Sequence, residues 1–472
     1  MKKNRTLWAL VSLILLLCVM AQPAGAVSVD QSVQNGCHSV DAHMPLSDDG
    51  KLVETSKAVI IYELTSDTMI YTWNPDARIY PSSMVKLMTA LVALENAELK
   101  EKVAVTKRAL SYVEVGSVSA GLQAGEELTL EDLLYCMMAA SANDAATVIA
   151  EHIGGTQENF VKMMNQRAAE LGCTGTNYTN AHGLHDEQNY TTARDICRVL
   201  DAALEDPDFK ALFTAESYVV PATNKSEERK IFTSNYMMSR ETIKKYYDDR
   251  VTGGKTGATD EAGRCLAATA EGNGMELLTI VMGAEAVYEP DGLAVNSFGS
   301  FEETSQLLDY ALSKFECRQV FSEDQIISQH PVENGTNSVV TRPASSAATV
   351  LPLGVDRSSL TWIYGDTAGI LTAPVQEGQV ISSVQVWYGA KCLAQADLVA
   401  ANAVPLWQAP VQPEDPVAQQ NADSWKLIAV IGGSVLAIGA VVALVLLIRK
   451  WIRKAAEHAR RRRRRINRRR SR

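Results

Sequence analysis

The sequence predicts an α+β domain, followed by a small all-β domain and one C-terminal transmembrane helix. Three observations carry this. A run from Ser83 to about Glu95 is apolar almost all round, as only a buried helix is. Short runs rich in Val and Ile flank a helical middle. Leu427–Ile448 then gives 22 residues without a charge, enough to cross a bilayer. A chain of 472 residues is too long for one compact core.

The first 26 residues read as a signal peptide. Lys2, Lys3 and Arg5 precede the apolar run Leu7–Met20, and Ala24-Gly25-Ala26 offers a small-residue cleavage site. That run is shorter than the roughly 20 residues a span needs, so cleavage is expected rather than anchoring. Cys18 lacks the small residue that precedes a lipoprotein cysteine. Residues 27–50 are a polar lead-in.

Lys57–Tyr62 and Met69–Trp73, separated by Ser66-Asp67, predict a hairpin. Pro81 then opens the buried helix, where Met84, Val85, Leu87, Met88, Ala90, Leu91, Val92 and Leu94 leave almost no polar face. Leu128–Ile153 reads as helix ending at Gly154-Gly155. Helical pattern continues through Phe160–Leu171 and Ala193–Leu204. Strand character returns at Cys265–Ala270 and Leu277–Met282, and Phe301–Phe315 is helical. The α+β domain is therefore expected over 51–316.

Residues 317–407 predict the small β domain, from pieces such as Ser338–Thr341, Leu360–Tyr364 and Val380–Tyr388 between Gly and Pro turns. Pro410, Pro413 and Pro416 mark 408–425 as a linker, followed by the membrane helix at 426–448. Residues 449–472 hold fourteen Lys or Arg and one acid, so the net charge of −10 hides an acidic body and a basic tail. Such a tail beside a span places it in the cytoplasm and 27–425 outside. Arg460–Arg465 reads as a stop-transfer segment on anionic lipid, not a nucleic-acid site. The cysteines do not form a metal-site spacing. The Cys37, His38 and His43 group reads as loop, and His182 and His185 read as polar loop residues.

Ser83-Met84-Val85-Lys86 puts a hydroxyl and an amine on one helical face, beside unpaired backbone N–H groups at the helix start. Burial lowers the pKa of a lysine and lets it act as base for a serine nucleophile. Alone this is also the pattern of a capped helix with a snorkelling lysine. Ser141-Ala142-Asn143 interrupts an apolar helical stretch, which predicts a break aimed into a site. Lys255-Thr256-Gly257 offers a charge, a hydroxyl and a residue that lets another backbone approach.

Ser-x-x-Lys, Ser-x-Asn and Lys-Thr-Gly in this order resemble the penicillin-binding proteins and serine β-lactamases. Leu122–Leu134, Ser141–Ala146, Asn180–Leu184, Tyr190-Thr191-Thr192 and Gly257–Leu266 are further similar to low-molecular-mass D-alanyl-D-alanine carboxypeptidases. Residues 317–405 are similar to the β domain of that group. The resemblance implies a β-lactamase/transpeptidase-like domain, an antiparallel sheet flanked by helices plus a helical subdomain. It implies a serine carboxypeptidase that acts on stem peptides ending in D-Ala-D-Ala, is acylated by β-lactams, and needs neither cofactor nor metal.

By the same resemblance Ser83 attacks the carbonyl, Lys86 takes its proton and Ser141 relays a proton to the leaving amine. Asn143 positions the substrate amide, while Lys255 and Thr256, with Gly257 beside them, hold the terminal carboxylate. The N–H groups of Ser83 and Ala258 form the oxyanion hole. Ala142 stands where relatives often have Gly. The alternatives are a β-lactamase, for which no Glu-x-x-Leu-Asn follows Ser141, and a non-catalytic wall-binding scaffold, against which the intact triplets argue.

Overall fold

The computed structural model describes residues 49–241, 243–288, 295–366, 369–409 and 416–469. The expected signal peptide and the Cys37, His38 and His43 group lie outside these residues. The hairpin forms as expected, with β1 at Ala58–Glu63 and β2 at Thr68–Trp73. A 3₁₀ turn at Ser82–Met84 leads into helix α1, Val85–Asn96, whose residues 85–93 are all buried. The short strand β3, Lys102–Ala104, pairs with β4, Glu127–Thr129, around the one-turn helix α2 at Lys107–Leu110.

The stretch expected as one helix over Leu128–Ile153 is instead β4 and two helices, α3 at Leu130–Met138 and α4 at Asn143–Gly154. Thr129 and Asp132 form a reciprocal capping box that starts α3. The break falls at the predicted polar triplet. Helices α5, Gln157–Glu170, α6, Ala193–Leu204, and α7, Pro207–Phe213, complete the helical side. The ribbon of β5, Ser217–Val220, and β6, Arg229–Phe232, follows.

Strands β7, Val251–Thr259, β8, Gly263–Gly272, and β9, Met275–Ala284, complete an antiparallel sheet in the order β2-β1-β9-β8-β7. Its strands alternate between two cores, because successive side chains point to opposite faces. Ala58, Ile60 and Tyr62 join the helical cluster around α1, whereas Val59 and Ile61 pack with Phe301, Leu307 and Leu308 on the other face. Burial on both faces is why β1 reads as an unbroken apolar run. A second small ribbon, β10 at Ala286–Tyr288 and β11 at Val295–Phe298, leads into α8, Gly299–Lys314.

Phe315, expected as the end of that helix, begins β12, Phe315–Phe321, which pairs with β15, Ala347–Pro352. Phe315 and Val350 pack into the second core of the α+β domain, so the two domains share apolar contact at this ribbon. Between these strands come β13, Ser328–His330, and β14, Val339–Pro343. Strands β16, Thr361–Tyr364, β17, Val380–Tyr388, and β18, Lys391–Ala400, finish a sheet ordered β13-β14-β18-β17-β16.

Residues 407–472 form a separate compact unit. Its helix α9 spans Pro416–Arg469. The linker expected to reach 425 is thus helical from Pro416, and the basic segment continues the helix, as Ala, Gln and Arg favour. Among the described residues, Asp423–His458 is the one stretch long and apolar enough to cross a membrane. It fits a single-pass C-terminal anchor.

Candidate active site

The cleft opens where the first turn of α1, the α3–α4 break and strand β7 meet. Lys86 is fully buried on α1. Its Nζ donates to Ser83 Oγ at 2.9 Å, to Asn143 Oδ1 at 2.7 Å and to the carbonyl oxygen of His182. It forms no ion pair among the described residues. Burial, then the repulsion of Lys255, push its pKa well below the ordinary value. Such a shift favours the neutral amine, the form that can accept a proton.

Lys255 is fully buried on β7, and its Nζ donates to Ser141 Oγ at 2.8 Å and to the Thr256 carbonyl at 2.9 Å. Burial lowers its pKa to about 7. Thr256 Oγ1 lies 2.6 Å from Ser234 Oγ. Strand β7 ends the sheet, so one backbone edge is open to an added peptide strand. Gly257 lets β7 approach the Ser82–Met84 turn: a Cβ there would sit 3.0 Å from Ser82 Oγ and 3.3 Å from the Pro81 carbonyl oxygen. Ala258 follows, exposed on the strand.

Strain gathers at the same place. Among the described residues, the non-glycine residues of positive φ are Asp67, Asn74, Asn273 and Asn334, types that tolerate it, together with Ser82 (φ 52°) and Ser141 (φ 62°). Both serines border the cleft, where an uncommon backbone conformation aims side chains that a regular helix would point elsewhere. The Ser83 N–H, expected as an open oxyanion donor, is held by Ser82 Oγ at 2.6 Å.

Sequence reasoning missed several participants. His182, expected as a polar loop residue, is buried, and its carbonyl anchors Lys86. Burial and the neighbouring Lys86 lower its imidazole to about 4, and its Nδ1 accepts from the Leu184 N–H at 3.1 Å. The next residue must be glycine: at Gly183 (φ +89°) a Cβ would lie 1.9 Å from the Ser82 carbonyl oxygen. Asp144 is buried at the start of α4 and accepts from Ser119 Oγ and the N–H groups of Ala120 and Leu122, tying that loop beside Asn143. The signal available for Asp144 was a fourth polar residue directly after the Ser-x-Asn triplet.

A serine on the first turn of a buried helix, a lysine without a counter-ion beside it and an open sheet edge across the cleft define the serine acyl-transfer enzymes of the transpeptidase/β-lactamase-like fold. Residues 47–286 match the family described as D-alanyl-D-alanine carboxypeptidase, and residues 315–406 match that described as penicillin-binding protein 5, C-terminal domain. The chain belongs to the D-alanyl-D-alanine carboxypeptidase family.

It is 28% identical over 363 residues to D-alanyl-D-alanine carboxypeptidase DacF of Bacillus subtilis, covering 75% of this chain and 87% of that protein. It is 29% identical to D-alanyl-D-alanine carboxypeptidase DacA of Haemophilus influenzae, covering 74% and 85%. Among solved structures it is similar to penicillin-binding protein 5 of Haemophilus influenzae, with a TM-score of 0.60 and 28% identity over 74% of this chain and 98% of that one.

Proposed function

We propose that Ser83 is the nucleophile with which this carboxypeptidase removes the terminal D-Ala from peptidoglycan stem peptides, through an acyl-enzyme. The single observation that carries the reading is Lys86: fully buried, without a carboxylate partner among the described residues, and 2.9 Å from the Ser83 hydroxyl.

Lys86 Nζ takes the proton as Ser83 Oγ attacks the carbonyl between the two D-alanines. The negative charge that develops is received by the N–H groups of Ser83 and Ala258, the substrate carbonyl displacing the Ser82 hydroxyl; one such donor is worth roughly 3 kcal/mol. The proton on Lys86 passes to Ser141, linked to Lys255, which relays it to the leaving amine, so that Lys86 is neutral again. Asn143 orients the peptide amide, and Lys255 with Thr256 receives the terminal carboxylate against the open edge of β7, where Gly257 lets it approach. Lys86 then helps water attack the ester. β-Lactams, which imitate the dipeptide, acylate Ser83 by the same path.

Export and anchoring complete the reading. The expected signal peptide and the apolar C-terminal helix support a cell-membrane protein with its catalytic domain outside and its basic tail in the cytoplasm. The test uses a peptide ending in D-Ala-D-Ala and a labelled penicillin, each with the wild type and with Ser83→Ala. Release of D-alanine and a long-lived adduct, both lost in the variant, are expected. Rapid penicillin turnover without D-alanine release would make the protein a β-lactamase instead.

A further inference from the structure

The β domain carries a cavity that the reaction does not use. It lies between β12 and the segment leading into β16, and holds about 90 Å³. Arg318, Gln319, Val320, Arg357, Leu360 and Trp362 line it. A single water needs roughly 10–15 Å³ of such space, so there is room for one small polyatomic ion.

Its charge is out of keeping with its surroundings. Residues 315–406 hold eight Asp or Glu against four Lys or Arg, yet two of those four, Arg318 and Arg357, line this one cavity, and no acid does. Among the described residues neither arginine forms an ion pair. Asp356, the acid beside Arg357 in the chain, caps the 3₁₀ turn Arg357–Ser359 by accepting from the Ser358 N–H at 3.1 Å.

Both guanidiniums are held in place. Arg318 Nη2 donates to the Val355 carbonyl at 2.7 Å. That is one acceptor for a group with five N–H donors. Arg357 lies over the Trp362 ring, 5.0 Å from its centroid. Trp362 in turn packs against the core that holds Val320, Val384 and Val386. Side chains ordered before a ligand arrives lose less entropy on binding it.

A planar carboxylate matches one guanidinium fork, whereas a phosphate has oxygens enough for two forks that come from different elements. We propose that this cavity is a phosphate-binding site, through which the β domain holds a phosphate-bearing partner outside the membrane. A phosphodiester polymer and a lipid headgroup both offer that group. Arg318 stands on β12, whose Phe315 packs into the second core of the α+β domain, so a phosphate held here also fixes where the active site sits. The partner follows from the outward orientation proposed above; the site itself does not depend on the reaction.

The test is modification of the full-length protein in non-ionic detergent by the arginine reagent phenylglyoxal, with each arginine read by peptide mass spectrometry. Saturating inorganic phosphate should slow the modification of Arg318 and Arg357, about tenfold at ten times the dissociation constant. Arg342 of the same domain should react unchanged, and chloride at equal ionic strength should protect none of the three. Arg318→Lys keeps the charge and loses the fork, so phosphate should no longer protect Arg357 in that variant. A labelled penicillin, assayed in parallel, reports that the variant is folded. Protection by a soluble glycerol-phosphate oligomer would assign the polymer as partner, and protection by a micelle doped with phosphatidylglycerol would assign the lipid headgroup. No protection by phosphate, equal protection by chloride or of Arg342, or protection of Arg357 that survives in Arg318→Lys would overturn the site. Protection by inorganic phosphate with none from oligomer or micelle would mean an adventitious ion only, and would overturn the partner. Protection in a wild type that forms no penicillin adduct would bring down the reaction and leave the site standing.

Discussion

The catalytic domain and the β domain bury their polar groups in opposite ways. In the catalytic domain two lysines, Lys86 and Lys255, are fully buried with no carboxylate partner among the described residues. In the β domain the buried polar residues are Thr341 and Thr349, around a core of Val320, Phe321, Val384, Val386 and Leu398. An unpaired ammonium is among the most expensive groups to remove from water. A buried carboxylate of the same domain goes to structure instead: Glu303 is met by Thr55 Oγ1 and by the N–H groups of Glu54, Thr55 and Ser56. One region thus sacrifices stability for two lysines whose pKa burial lowers, and the other is built for packing.

Four measurements sharpen or break this contrast. Ser83→Ala should lower D-alanine release by about 10⁴ or more and abolish the penicillin adduct, since the nucleophile has no substitute. Adduct formation by the variant would remove Ser83 from its role. Lys86→Met should reduce acylation by about 10²–10⁴, the range of a positioned base. Its melting temperature should hold or rise, because an apolar isostere replaces a buried group of high desolvation cost. A large loss of stability would mean that Lys86 is structural.

Leu398→Ala in the β domain should show the reverse signature. It should cost about 2–5 kcal/mol in denaturant unfolding, while penicillin acylation at Ser83 stays unchanged wherever the protein is folded.

The smallest effect is in pH. The folded pKa of Lys255, about 7, lies below the ordinary 10.5. Between these values the unfolded chain binds the extra proton, so stability rises with pH across that window; Lys86 acts in the same direction. Melting curves at pH 7 and pH 9 should show a rise in the wild type that is smaller in Lys255→Met. Equal slopes would mean that Lys255 stays charged when folded. Substrate KM should rise as pH passes about 7, as Lys255 loses the charge offered to the carboxylate.

Much of this was legible in the sequence. The hairpin, the all-round apolar helix α1, the break at Ser141 and α6 at Ala193–Leu204 follow from local period and propensity. Other elements were not. Strand β18 escaped because Ala, Gln and Asp dilute its alternation, and β12 because Phe315 continues the apolar period of α8. The role of His182 escaped because it is played by a carbonyl, which any residue type supplies.

By itself the sequence determined the order of the three motifs, the sheet-and-helix class, the β domain and the apolar C-terminal segment. Each is written in local residue type and spacing. Only the tertiary structure decided that Ser141 meets Lys255 across 114 residues, and that Asn143 and the His182 carbonyl meet Lys86 across 57 and 96. It also decided that both lysines are buried without counter-ions among the described residues. Periodicity reports which face of an element is apolar, but the pKa of a lysine depends on what the rest of the chain packs around it.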